Sequence, residues 1–98
     1  MKPVRIIGMA WFRREDWPRV RDIMEDADAL PATYEKWLYR AEKGEKLMGK
    51  SGVVVKRAYI DPETFPDWCA AHSLNIDAQG RTRFAADWVR KEERLAED

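Results

Sequence analysis

Two short runs of β-branched and aromatic residues stand out from a chain otherwise patterned at helical spacing. Residues 4–12 read VRIIGMAWF, follow Pro3 and end at the charged group Arg13-Arg14-Glu15-Asp16. That composition predicts a strand. Residues 53–60, VVVKRAYI, predict a second. Between the strands the spacing predicts two helices. Asp16 caps the first, Pro18 sits in its opening turn, and Trp17, Val20, Ile23 and Met24 recur at helical intervals until the acidic stretch 25–28 ends it. The second takes Pro31 in its first turn. It carries Leu30, Tyr34, Trp37, Leu38, Ala41 and Met48 on one stripe, with Glu35, Lys36, Arg40, Glu42 and Lys43 facing out. Gly44 falls inside this pattern, and Gly49 and Gly52 close the following turn.

After the second strand, Asp61-Pro62-Glu63 marks a helix start. Phe65, Trp68, Cys69 and His72 share this third helix, with Pro66 in its first turn if Thr64 is the cap. Asp77 caps a fourth helix whose apolar side is Phe84, Ala85, Trp88, Val89 and Leu95 and whose end, 91–94, is expected to fray. The expectation is therefore one domain over residues 1–98, of α/β class in its α+β form. It has two layers and the order β-α-α-β-α-α. If each intervening helix reverses the chain, the two strands pair antiparallel.

Both alternating sets of each strand are apolar. Val4, Ile6 and Ala10 oppose Ile7, Met9 and Trp11, and Val53, Val55 and Tyr59 oppose Val54, Ala58 and Ile60. A strand with one wet face would alternate with polar residues. One sheet face can pack on the first two helices; the other needs the last helix or a second subunit. A two-stranded sheet also leaves two open edges. These points lead to a homodimer with Trp11 and Tyr59 near the interface.

Composition narrows the class. The chain has 98 residues, 45% hydrophobic and 37% charged, which suits a folded domain rather than a disordered one. No apolar run is long enough to span a bilayer, and Met1-Lys2-Pro3 leads directly into a strand pattern rather than a secretory leader. With one cysteine, Cys69, no internal disulfide forms, so a cytoplasmic setting is expected. Formal net charge is zero, against a dedicated polyanion binder, yet the charge is blocky. Residues 1–21 sum to +4, 22–35 to −5, 36–57 to +5 and 58–80 to −4. Blocks of opposite sign attract within a fold or across a dimer.

The five tryptophans, Trp11, Trp17, Trp37, Trp68 and Trp88, fall one per element, with Tyr59 in the second strand. Large aromatics let a short chain bury much area. One or two of them would instead line a partner surface.

Residue sets that could carry chemistry are sparse. Cys69 and His72 lie three apart, but a structural zinc needs four ligands and there is no second pair. Asp22, Glu25, Asp26 and Asp28 lack the alternation and glycine of a calcium loop. Residues 44–51, GEKLMGKS, spell a phosphate loop, but a helix precedes them and a strand follows, which is the reverse of what that loop requires. No residue set calls for a metal or a cofactor, and none forms a catalytic constellation. Residues 73–76 could be the turn of a helix-turn-helix, with Asn75 in the left-handed conformation and Arg81, Arg83 and Arg90 reaching phosphates.

Three strings of residues, Gly8-x-Ala10-Trp11, Thr33-Tyr34-Glu35-x-Trp37-Leu38 and Asp61-Pro62-x-x-Phe65-x-x-Trp68-Cys69, together with Asp77-Ala78 and Arg83-Phe84-Ala85, carry a resemblance across most of the chain. On them the sequence resembles small bacterial proteins of uncharacterised function. The resemblance implies no activity.

The leading functional expectation is a small non-enzymatic protein-interaction module that self-associates, with Trp11, Lys56, Arg57 and Tyr59 as binding residues. The alternative is a nucleic-acid-associated protein using Lys46, Lys50, Lys56 and Arg57, or the C-terminal helix pair. A small enzyme, or a subunit of one, is the third.

Overall fold

A computed structural model describes residues 5–97. Strand β1 spans Ile6–Trp11, helix α1 Trp17–Ile23, α2 Tyr34–Lys50, β2 Val54–Tyr59, α3 Phe65–Ala71 and α4 Ala78–Glu97. Short 3-10 turns at Arg14–Asp16 and Ala27–Ala29 flank α1. The expected order of strands and helices is present, with these two turns added. Val4, the expected start of the first strand, lies outside the described residues.

Local chemistry sets the boundaries. α2 begins at Tyr34 rather than near Pro31, because Thr33 is the cap: its hydroxyl accepts from the Lys36 N–H at 3.2 Å. The helix runs through Gly44 to Lys50, and Gly52 then takes a positive φ of 85° to turn the chain into β2. Asp61 Oδ1 accepts from the Glu63 N–H at 2.9 Å, and α3 starts four residues after Asp61, with Thr64 at its cap and Pro66 in its first turn. His72 is not inside α3; it follows the last helical residue. The left-handed residue of the next turn is Ser73 (φ 56°), not Asn75. Asp77 Oδ1 accepts from the Gly80 N–H at the start of α4, and α4 is helical through residues 91–94 to Glu97.

The strands pair parallel, from Ile6 opposite Val54 to Trp11 opposite Tyr59, which corrects the antiparallel expectation. α1 has seven residues and is about 10 Å long, too short to carry the chain back along the sheet. α2, at 17 residues and about 25 Å, makes the one full return. A single helical crossover delivers the second strand parallel to the first. The doubly apolar strands fit that outcome, since parallel sheets are covered on both faces.

Partners in this register share a face. Ile7, Met9 and Trp11 lie with Val55, Arg57 and Tyr59 toward α2; Ile6, Gly8 and Ala10 lie with Val54, Lys56 and Ala58 toward α4. On the α2 side the core is aromatic. Trp37 stands 5.2 Å from Trp11, 5.0 Å from Phe12, 5.8 Å from Trp17 and 5.3 Å from Tyr34, ring centre to ring centre. On the α4 side the contact is close. A methyl group on Gly8 would meet the Ala85 carbonyl and lie 2.6 Å from Val89 Cγ2, so glycine is what lets α4 settle there. A second aromatic group, Phe65, Trp68 and Phe84, joins α3 to α4.

Candidate interaction surfaces

Of the four expected binding residues, the structure brings three together. Trp11 and Tyr59 are neighbours at the C-terminal ends of the strands, and Arg57 lies on the same face. The Arg57 guanidinium sits 3.9 Å from the centre of the Trp11 ring and forks onto the Glu45 carboxylate at 2.7 and 2.9 Å. Hydrogen bonding by Arg57 holds the Glu45 carboxyl below its ordinary range, and Glu45 in turn strengthens the proton affinity of Arg57. Trp11 is 1% exposed, so its ring belongs to the core and offers nothing to a partner. Tyr59 is 39% exposed, under the guanidinium of Arg13 at 4.5 Å. Lys56 is exposed on the opposite, α4-side face.

The expected basic group therefore divides. Arg57 is committed to Glu45 and Trp11, and Lys56 stands apart from Lys46 and Lys50. Those two belong instead to the outer face of α2, with Lys36, Arg40 and Lys43. At 100° per residue these five cations occupy about 120° of the helix, opposite Trp37 and Ala41. All five are exposed, and none has a carboxylate within 4.0 Å among the described residues. Tyr39 lies among them, 69% exposed. An open depression of about 490 Å³ flanks it on the Glu35, Arg40 side, and one of about 270 Å³ on the Glu42, Lys46 side. The sequence carried this signal: the cations fall opposite the apolar stripe of the same helix.

The C-terminal helix pair is less open than expected. Arg81 is mostly buried and forks onto Asp26 at 2.8 Å through both nitrogens, so it ties α4 to the turn before α2. Arg83 and Arg90 are exposed. Cys69 is fully buried, and burial pushes its thiol pKa up, which opposes thiolate chemistry. His72 is exposed and stacks on Trp68 at 4.0 Å, with Nδ1 2.8 Å from the Trp68 carbonyl oxygen. Among the described residues, no three His, Cys, Asp or Glu side chains are placed to hold a metal ion.

A second surface runs along β1. Val54 N–H donates to the Arg5 carbonyl and Ile60 N–H to the Trp11 carbonyl, both at 2.9 Å. Backbone groups alternate sides along a strand, so Ile7, Met9 and Trp11 direct theirs to β2, whereas Ile6, Gly8 and Ala10 direct theirs outward. No further strand among the described residues pairs with that edge. Beside it, Ile6, Ile7 and Gly8 of β1 and Thr82, Ala86, Val89, Arg90 and Glu93 of α4 line a groove of about 290 Å³, apolar at its floor and charged at the Arg90, Glu93 end. The two edges differ in charge: β1 reads IIGMAW, and β2 reads VVKRAY. Among the described residues, no helix is long and apolar enough to cross a membrane. The chain has no match among protein-family models, curated proteins or solved structures.

Proposed function

We propose that this chain is a small, non-enzymatic protein-interaction module that self-associates through the outer edge of β1. One observation carries the reading. β1 presents outward backbone donors and acceptors on an uncharged strand, next to a groove whose β1 wall is apolar and whose α4 wall carries Arg90 and Glu93. Natural edge strands are commonly blunted by lysine or another charge. β2 has the exposed Lys56 in that role, and β1 has no counterpart. An added strand would satisfy the outward groups of Ile6, Gly8 and Ala10, as in other strand-addition interfaces.

The seat of α4 constrains how a second copy docks. Antiparallel pairing would place both α4 helices on one face of the joined sheet. Packed helices need about 8–10 Å between axes, whereas neighbouring strands are about 4.8 Å apart. A second copy must therefore approach so that the two α4 helices clear each other. The single, buried Cys69 suits a reducing compartment, and the cytoplasm is the location we assign.

Light scattering at micromolar concentration tests the reading, with Ile6→Lys as the edge-blocking variant. The dimer mass is expected for the parent chain and the monomer mass for the folded variant. A monomer mass for the parent, unchanged on tenfold concentration, refutes self-association.

A further inference from the structure

The outer face of α2 is independent of the β1 edge, and its chemistry points to a different ligand. Lys36, Arg40, Lys43, Lys46 and Lys50 form a ladder about 21 Å long, with Tyr39 exposed within it. The acidic residues of α2 do not cancel this ladder. Glu45 is held by Arg57 and Glu35 by Arg14, and Glu42 lies at the border of the arc. Zero net charge for the whole chain thus conceals a strongly cationic helix face. Five exposed cations at this density, without carboxylate partners among the described residues, form a surface complementary to a polyanion.

We infer that this face binds single-stranded nucleic acid. The cations track successive phosphates, and a base stacks on the Tyr39 ring in one of the open depressions beside it. An exposed tyrosine amid lysines is the combination that single-strand surfaces use: charge for the backbone, a π-face for a base. An anionic membrane fits less well. A helix lying in a lipid interface needs a continuous apolar face, and α2 shows only Tyr39 and Leu47 outward. Arg57, an expected contact, takes no part, because Glu45 and Trp11 occupy its guanidinium.

The test is fluorescence anisotropy of the full chain with a labelled oligothymidylate of about 15 nucleotides, in parallel with a duplex, at about 50 and about 200 mM salt. Binding to the single strand is expected, falling with salt at a log–log slope of up to about −3.5 if all five cations engage phosphate. Lys43→Glu with Lys46→Glu should weaken it by at least about tenfold, because each reversal replaces an attraction by a repulsion. Tyr39→Ala should weaken it about fivefold or more and leave the salt slope unchanged. All substitutions are on exposed positions, and an unaltered circular dichroism spectrum verifies that each variant folds. Absence of binding at the lower salt, or affinity unmoved by the charge reversals, overturns the inference. Equal affinity for the duplex with no effect of Tyr39→Ala also overturns it. Co-sedimentation with phosphatidylserine vesicles, without oligonucleotide binding, would assign the face to a membrane surface instead.

Discussion

On its α2 side the sheet meets the helices through bulk. Trp11 projects into Trp37, Phe12 and Trp17 fill the adjoining space, and Arg57 covers Trp11 at the border. On its α4 side the sheet meets a helix through lack of bulk: Gly8, Ala10 and Ala58 from the strands, Ala85 and Val89 from α4. The same two six-residue strands thus support a thick aromatic layer and a close backbone contact. The first depends on atoms being present and the second on one being absent. Substitutions of opposite kinds should therefore damage the two sides.

The largest effect is expected on the aromatic side. Trp37 touches four other aromatic rings and is 9% exposed, so Trp37→Ala should cost about 3–5 kcal/mol in urea unfolding. An unfolding midpoint that barely moves would show that the layer is not the principal source of stability. The close side is probed by adding atoms. Gly8→Ala inserts one methyl group against the Ala85 carbonyl and Val89, and should cost about 1–3 kcal/mol by pushing α4 away from β1. A neutral Gly8→Ala would mean that α4 tolerates a looser seat, and the contrast between the faces would fail.

The sequence made the two sides unequally legible. The aromatic layer was visible: Trp11, Trp17 and Trp37 recur at core positions of their own elements, and burial of large rings follows from local periodicity. The parallel pairing was not, although both apolar sets on each strand pointed to a sheet covered on two faces. Two helices between the strands imply antiparallel pairing only if each reverses the chain, and α1 is a helix by local signals but too short to do so. The role of Gly8 is a tertiary fact that nothing nearby in the sequence announces. The same holds for the surfaces. Lys46 and Lys50 are legible as cations, but sequence proximity joins them to Lys56 and Arg57. In the fold, the turn at Gly52 separates them, Glu45 captures Arg57, and the helical repeat gathers Lys36, Arg40 and Lys43 in their place.

The contrast can be sharpened at the place where the two sides are tied. Asp26, in the turn before α2, holds Arg81 of α4 through a forked pair, and that bond keeps the Asp26 carboxyl below the ordinary carboxylate range. A folded-state pKa below the unfolded one contributes stability above the unfolded value. That stability is lost as pH falls through the folded value, from about pH 4 downward. Asp26→Asn should cost on the order of 1 kcal/mol at neutral pH, since Asp26 stays a quarter exposed beside the mostly buried Arg81, and the difference from the parent should vanish in acid. Parallel stability–pH curves for the two chains would show that the pair is not the strap between α4 and the aromatic side.

The smallest effect is expected inside the aromatic layer itself, at Trp17. Its ring is buried beside Phe12, Tyr34 and Trp37, yet its indole Nε1–H meets no hydrogen-bond acceptor among the described residues. A buried unpaired donor costs about 1–3 kcal/mol, which offsets part of what the ring contributes by packing. Trp17→Phe removes the donor and keeps an aromatic ring in the same place, so the lost area and the relieved desolvation act in opposite directions. The net loss should stay below about 1 kcal/mol, far less than for Trp37→Ala in the same layer. Urea unfolding of both variants under one set of conditions measures the difference. A Trp17→Phe loss approaching that of Trp37→Ala would mean that the indole N–H is satisfied in solution, by a water or by the face of a neighbouring ring. The aromatic side would then hold its shape partly through a polar contact, as the turn at Asp26 does.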